Sequence, residues 1–121
     1  MIVIPGEIIA MIDCDETLCL FAPTQYQLDK YGIDFPNPTT GEMDKVVPCK
    51  ENIEQLKRHA LRGNSVVVWT AAGCAFAVAL VKALGIEKYV TACVSKPTFL
   101  LDDKDPSEFM PKPRYYKDNY E

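Results

Sequence analysis

A chain of 121 residues is long enough for one domain with a single core and too short for two. Hydrophobic residues make up 48% of it and charged residues 25%, the balance of an ordinary globular protein. A formal charge of −4 gives no electrostatic reason to expect a nucleic acid or a membrane surface as a standing partner.

Residues 8–12 (IIAMI) form a short apolar run that reads as a strand covered on both faces, and Asp13 and Asp15 end it. Residues 18–47 carry Pro23, Gly32, Pro36, Pro38 and Gly41, a punctuation that breaks any long element. They read as an irregular flap with a small hairpin around residues 37–42. Residues 50–62 place Ile53, Leu56, Ala60 and Leu61 at helical spacing, with Gly63 just past the end. That pattern predicts an amphipathic helix lying on a sheet.

Residues 65–69 (SVVVW) are the clearest strand, and Thr70-Ala71-Ala72-Gly73 turns from it into a helix over residues 74–84, closed by Gly85. This second helix is apolar nearly all round, which predicts cover from more than one surface or a contact with a second copy. Residues 89–94 and 98–101 read as two further strands, the second ending in Asp102-Asp103, and residues 110–121 as a tail. The order describes an α/β domain with a mostly parallel sheet.

The five cysteines, Cys14, Cys19, Cys49, Cys74 and Cys93, are an odd set with no CxxC pair. They point to a reducing, cytoplasmic setting rather than a disulfide scaffold or a zinc site. No apolar run approaches the ~18 residues of a membrane span, so no membrane partner is expected. Residues 1–7 lack the charged start of a signal peptide.

Ligands of such sheets bind beyond the carboxyl ends of the strands. There the sequence places Asp13 and Asp15, Thr70, Lys96 and the pair Asp102-Asp103. Asp13 and Asp15, two apart on extended chain, point the same way. Up to four carboxylates at one edge raise their own pKa values unless a cation joins them. Magnesium suits a few carboxylates with waters and a phosphate. Lys96, the Thr70 hydroxyl and the amides of Ala71 and Ala72 supply donors for phosphate oxygens.

In this arrangement the chain resembles the haloacid dehalogenase superfamily of phosphohydrolases. MIDCDET matches its apolar strand followed by DxDxT, VVVWT its second motif, Lys96-Pro97 its third and LLDD its fourth, in the family order. Glu16 stands where many members carry glycine. The resemblance implies a single Rossmann-like three-layer domain with no separate cap domain. It implies Asp13 as nucleophile, Asp15 as general acid and base, and Thr70, Ala71 and Lys96 as phosphate ligands. Asp13, Asp15 and Asp103 would hold Mg2+, with Asp102 supporting.

The expected activity is hydrolysis of a phosphomonoester through an aspartyl-phosphate. The substrate is a nucleotide, a nucleic-acid end, a phosphoprotein or a sugar phosphate. The alternatives are a non-catalytic phosphate- or partner-binding module on the same fold, and a phosphotransferase. A nucleic acid enters only as substrate, and a second copy of the chain could close an open site.

Three other features read more plainly. Cys14 alternates away from the acids and reads as core packing. His59, the only histidine, sits among Lys57, Arg58 and Arg62 on a polar helix face. The tail mixes Lys112 and Arg114 with Tyr115 and Tyr116, and reads as a terminal strand, a subunit contact or a disordered end.

Overall fold

Parallel pairing builds the main sheet of the protein, seen in a computed structural model that describes residues 1–20 and 22–116. Its strands are β1 (Ile9–Ile12), β4 (Ser65–Thr70) and β5 (Ala92–Ser95), in the order β1-β4-β5. Ile9 to Ile12 pair with Ser65 to Val68, and Val67 to Thr70 pair with Ala92 to Ser95. Parallel neighbours need crossovers, and helices α2 (Lys50–Leu61) and α3 (Cys74–Ala83) supply them. The α/β class with a mostly parallel sheet is therefore as the sequence predicts.

Alternation along the strands sorts the core. Val66 and Val68 point to one face, where they are fully buried with Leu56 of α2 and with Ala77 and Leu80 of α3. Each of these valines and leucines contributes roughly 1.5–3 kcal/mol by leaving water. The opposite face carries Ile9, Met11, Val67 and Trp69. Val67 is buried there, but Ile9 and Met11 are 49% and 37% exposed. The expectation that the first strand is covered on both faces is thus corrected: β1 lies at the sheet edge, and both helices pack on the other side.

The stretch before α2 is more ordered than its prolines and glycines suggest. Thr24 and Gln27 form a capping box that starts a short helix, α1 (Gln25–Tyr31): the Gln27 N–H donates to Thr24 Oγ1 at 3.1 Å, and the Thr24 N–H to Gln27 Oε1 at 2.8 Å. A hairpin follows, β2 (Ile33–Asn37) with β3 (Glu42–Val46), turning where the sequence places it. Gly41 sits at φ 75° in that turn, and its N–H donates to Asn37 O at 2.8 Å. Phe35 of β2 is buried and meets Phe76 of α3 edge-on, with ring centroids 5.1 Å apart. The hairpin supplies the second surface that covers α3.

The far end departs further from the sequence pattern. A 3₁₀ turn takes Glu87–Tyr89, so β5 begins at Ala92. Residues 98–101 are not a strand, and Phe99, Leu100 and Leu101 are 81%, 54% and 88% exposed. The reason is local. The Lys96 N–H makes the last bond to β4, on Thr70 O at 2.9 Å, and Pro97 has no N–H with which to extend the pairing. Of the expected tail, residues 110–116 run exposed to a contact between the Tyr116 N–H and Asn52 Oδ1, 3.0 Å, and residues 117–121 lie outside the described residues. Among the described residues no helix is long and apolar enough to cross a membrane.

Candidate active site

The chain leaves β1 through a tight turn that begins at Cys14. Its carbonyl accepts the N–H groups of Thr17, Leu18 and Cys19 at 3.1, 2.8 and 3.3 Å, while the Glu16 N–H donates to Cys19 O at 2.7 Å. Cys14, Leu18 and Cys19 are buried, so they anchor the turn and leave the side chains of Asp13 and Asp15 at its mouth. Glu16 takes φ 60°, a left-handed conformation that favours glycine. The position where the resembled family often carries glycine is thus one where the backbone calls for it.

Lys96, 83 residues away in sequence, reaches back to this turn: its Nζ lies 3.4 Å from Asp13 Oδ1. The Lys96 ammonium also sits over the indole of Trp69, 5.8 Å from the ring centroid. Thr70 stands between the two strands that carry these groups, and its carbonyl fixes Lys96 through the backbone bond described above. Asp13, Thr70 and Lys96 are therefore brought to one end of the sheet, as their places after β1, β4 and β5 imply.

The two acids differ. Burial raises the pKa of Asp15 above its ordinary 3.8, and the charge of Asp13 raises it further. A hydrogen bond from Cys19 Sγ to Asp15 Oδ1, 3.9 Å, works the other way. Asp15 thus holds its proton more readily than a free aspartate. Burial, with Asp13 and Asp15 beside it, pushes the Cys14 thiol up to about 12. Cys14 stays protonated and packs in the core, as expected.

The residues expected to bind phosphate fare unequally. Thr70 is buried, and its hydroxyl accepts the Ala72 N–H at 3.1 Å. The Ala72 N–H is therefore committed inside its own turn; Ala71 and Ala72 are both exposed residues. At the start of α3 the Cys74 N–H donates to Ser95 Oγ at 2.9 Å.

Asp102 and Asp103 do not join Asp13 and Asp15. Among the described residues no three His, Cys, Asp or Glu side chains are grouped to hold a metal ion. The cause is the missing strand over residues 98–101, which leaves the pair in an exposed turn where Asp102 Oδ1 accepts the Lys104 N–H at 3.0 Å. His59 lies at the far end of α2, where Asn64 Nδ2 is 3.1 Å from its Nδ1.

Three supporting residues escape the motif reading. Cys19 and Trp69 contact Asp15 and Lys96, and nothing in their local sequence marks them. Asn52 did carry a signal: with Leu56 and Ala60 it shares the buried stripe of α2 at spacing i, i+4, i+8, and a polar side chain there needs a partner. Its Nδ2 donates to Thr17 O at 2.8 Å. Compared with models of known protein families and with curated proteins, the chain matches none.

Proposed function

We propose that the chain is a magnesium-dependent phosphomonoester hydrolase on a Rossmann-like core, related to the haloacid dehalogenase phosphohydrolases. The observation that carries this reading is the 3.4 Å pairing of Lys96 Nζ with Asp13 Oδ1, beside a second carboxylate whose pKa is raised. A nucleophile needs a cation to receive the phosphoryl oxygens, and a general acid needs to keep its proton; Asp13 with Lys96 and Asp15 divide these roles.

Asp13 attacks phosphorus, and the bond from phosphorus to the leaving oxygen breaks as Asp15 gives that oxygen its proton. The Asp15 carboxylate then takes a proton from water, which attacks the aspartyl-phosphate and releases phosphate and Asp13. Lys96 moves from Asp13 to the transferring oxygens, joined by the backbone amide of Ala71. Thr70 serves this site by closing the turn after β4 through Ala72 and by holding Lys96 through its carbonyl.

The donor set fits magnesium in its usual protein setting of one or two carboxylates with waters and a phosphate. Asp13 and Asp15 would hold it, with waters and the phosphate completing its shell. Bound there, the ion supplies charge to offset that of the phosphoryl group.

The test is hydrolysis of a panel of phosphomonoesters with magnesium and with chelator. Turnover should require the metal, and Asp13→Asn should abolish it with the fold intact, because amide and carboxylate are nearly isosteric. Turnover by Asp13→Asn at the wild-type rate would remove Asp13 as the nucleophile.

A further inference from the structure

Asn52 joins two parts of the chain that the motifs leave unconnected. It is 6% exposed, and both ends of its amide are used: Nδ2 donates to Thr17 O at 2.8 Å, and Oδ1 accepts the Tyr116 N–H at 3.0 Å. Only a side chain with a donor and an acceptor in one plane makes both bonds. A leucine in its place would leave the Thr17 carbonyl and the Tyr116 N–H without this partner, and an aspartate would leave the Thr17 carbonyl without it.

The bond to Thr17 belongs to a short series. The Leu20 N–H donates to Val47 O and the Cys49 N–H to Leu18 O, each at 2.9 Å. The turn that follows Asp15 is thereby stitched to the approach and first turn of α2. Of these three links, the one made by Asn52 reaches the residue nearest the acids in sequence and is made by a side chain.

We propose that Asn52 is a positioning residue that couples docking of the C-terminal segment to the placement of the turn carrying Asp13 and Asp15. With Tyr116 in place, the Asn52 carboxamide is held from one side and presents its N–H to Thr17 from the other. Without it, the carboxamide is held by its Thr17 bond alone, and the turn loses part of its support from α2. The catalytic consequence rests on the phosphatase reading; the coupling itself does not.

The two bonds can be removed separately in the full chain. Tyr116→Pro deletes the N–H donor at an exposed position near the chain end. Asn52→Asp keeps an acceptor for Tyr116 and replaces the donor that faces Thr17. Amide resonances of Thr17 and Leu18, followed by NMR on the labelled protein, should shift in both variants. In Tyr116→Pro the melting temperature should stay at the wild-type value. The kcat should fall in both by roughly 10- to 100-fold with KM nearly unchanged, as for a displaced reacting group.

Thr17 and Leu18 resonances that ignore Tyr116→Pro would overturn the coupling. Shifted resonances with an unchanged kcat would overturn the positioning role, as would a loss of activity that only tracks loss of folded protein. If the wild-type chain hydrolyses no phosphomonoester, the phosphatase reading falls, and the resonances still decide whether the tail and the acidic turn are coupled.

Discussion

Asp15 costs the fold stability at neutral pH, and the sign follows from its environment. Burial first and Asp13 second raise its pKa above the ordinary 3.8, so the folded chain binds this proton more tightly than the unfolded chain. The penalty is absent below the unfolded value and sets in as pH rises through that value and then the folded one. Asp15→Asn should therefore raise the melting temperature at pH 7 in metal-free buffer, and the gain should vanish below pH 3.8. A gain that persists in acid would place its origin elsewhere. The same variant should slow esters with poor leaving groups more than activated aryl esters, since only the former need the proton. Glu16 offers a second test at this scale. Relieving its φ of 60° gains about 1–2 kcal/mol, against roughly 0.5–1 kcal/mol of added chain entropy for glycine. Glu16→Gly should be neutral to slightly stabilising in a denaturant melt, and a loss of more than about 1 kcal/mol would refute the strain. Asp13, Thr70 and Lys96 were legible in the sequence because a parallel sheet delivers strand ends to one edge. Cys19 and Asn52 act through contacts that no motif spacing encodes, Asn52 across 35 residues to Thr17 and 64 to Tyr116.

At the scale of elements, β4, α2 and α3 were readable because burial writes their pattern directly: β-branched residues in a row, or an apolar stripe at helical spacing. Helix α1 was hidden by the flanking Pro23 and Gly32, although Thr24 and Gln27 spelled its capping box. Residues 98–101 failed in the opposite sense. Their apolar composition suits a strand, but a strand exists only where a neighbour's hydrogen bonds receive it, and Pro97 turns the chain out of β5. The acidic pair went with it, so the part of the site that depended on a fourth strand was not legible. The hairpin depends on one contact more than on its own pairing, because two strands alone are marginal. Phe35, buried against Phe76, provides it. Phe35→Ala should cost about 3–5 kcal/mol, as aromatic truncations in cores do. Amide exchange should then rise first in β2 and β3, while β4 keeps its protection. Equal loosening of β4 would mean that the hairpin and the main sheet unfold as one unit.

For the molecule as a whole, the decisive feature is what stands over the acids. Between β1 and α2 the described residues form only α1 and a hairpin whose anchor is Phe76 of α3, too little to bury a core of its own. The side chains of Lys96 and Asp13 keep 40% and 35% of their surface exposed. A site this open gains little by enclosing a small ester and loses little when the phosphate hangs from a large body. Its selectivity should therefore rest on the phosphate and its immediate neighbours. A phosphorylated peptide or oligonucleotide should be hydrolysed with kcat/KM within about tenfold of a small ester, a difference of about 1.4 kcal/mol in transition-state binding. The measurement needs the state of association beside it, because a second copy could roof the site. The exposed Ile9 and Met11 on the open face of the sheet, and Val78 on α3, are apolar surfaces that a second copy could cover. Sizing in solution across the assay concentrations settles which species is at work. A monomer that turns over small esters and rejects the same phosphate on a polymer would refute the open site. A dimer with that preference would instead locate the missing roof in its partner, and activity should then fall on dilution as the pair separates.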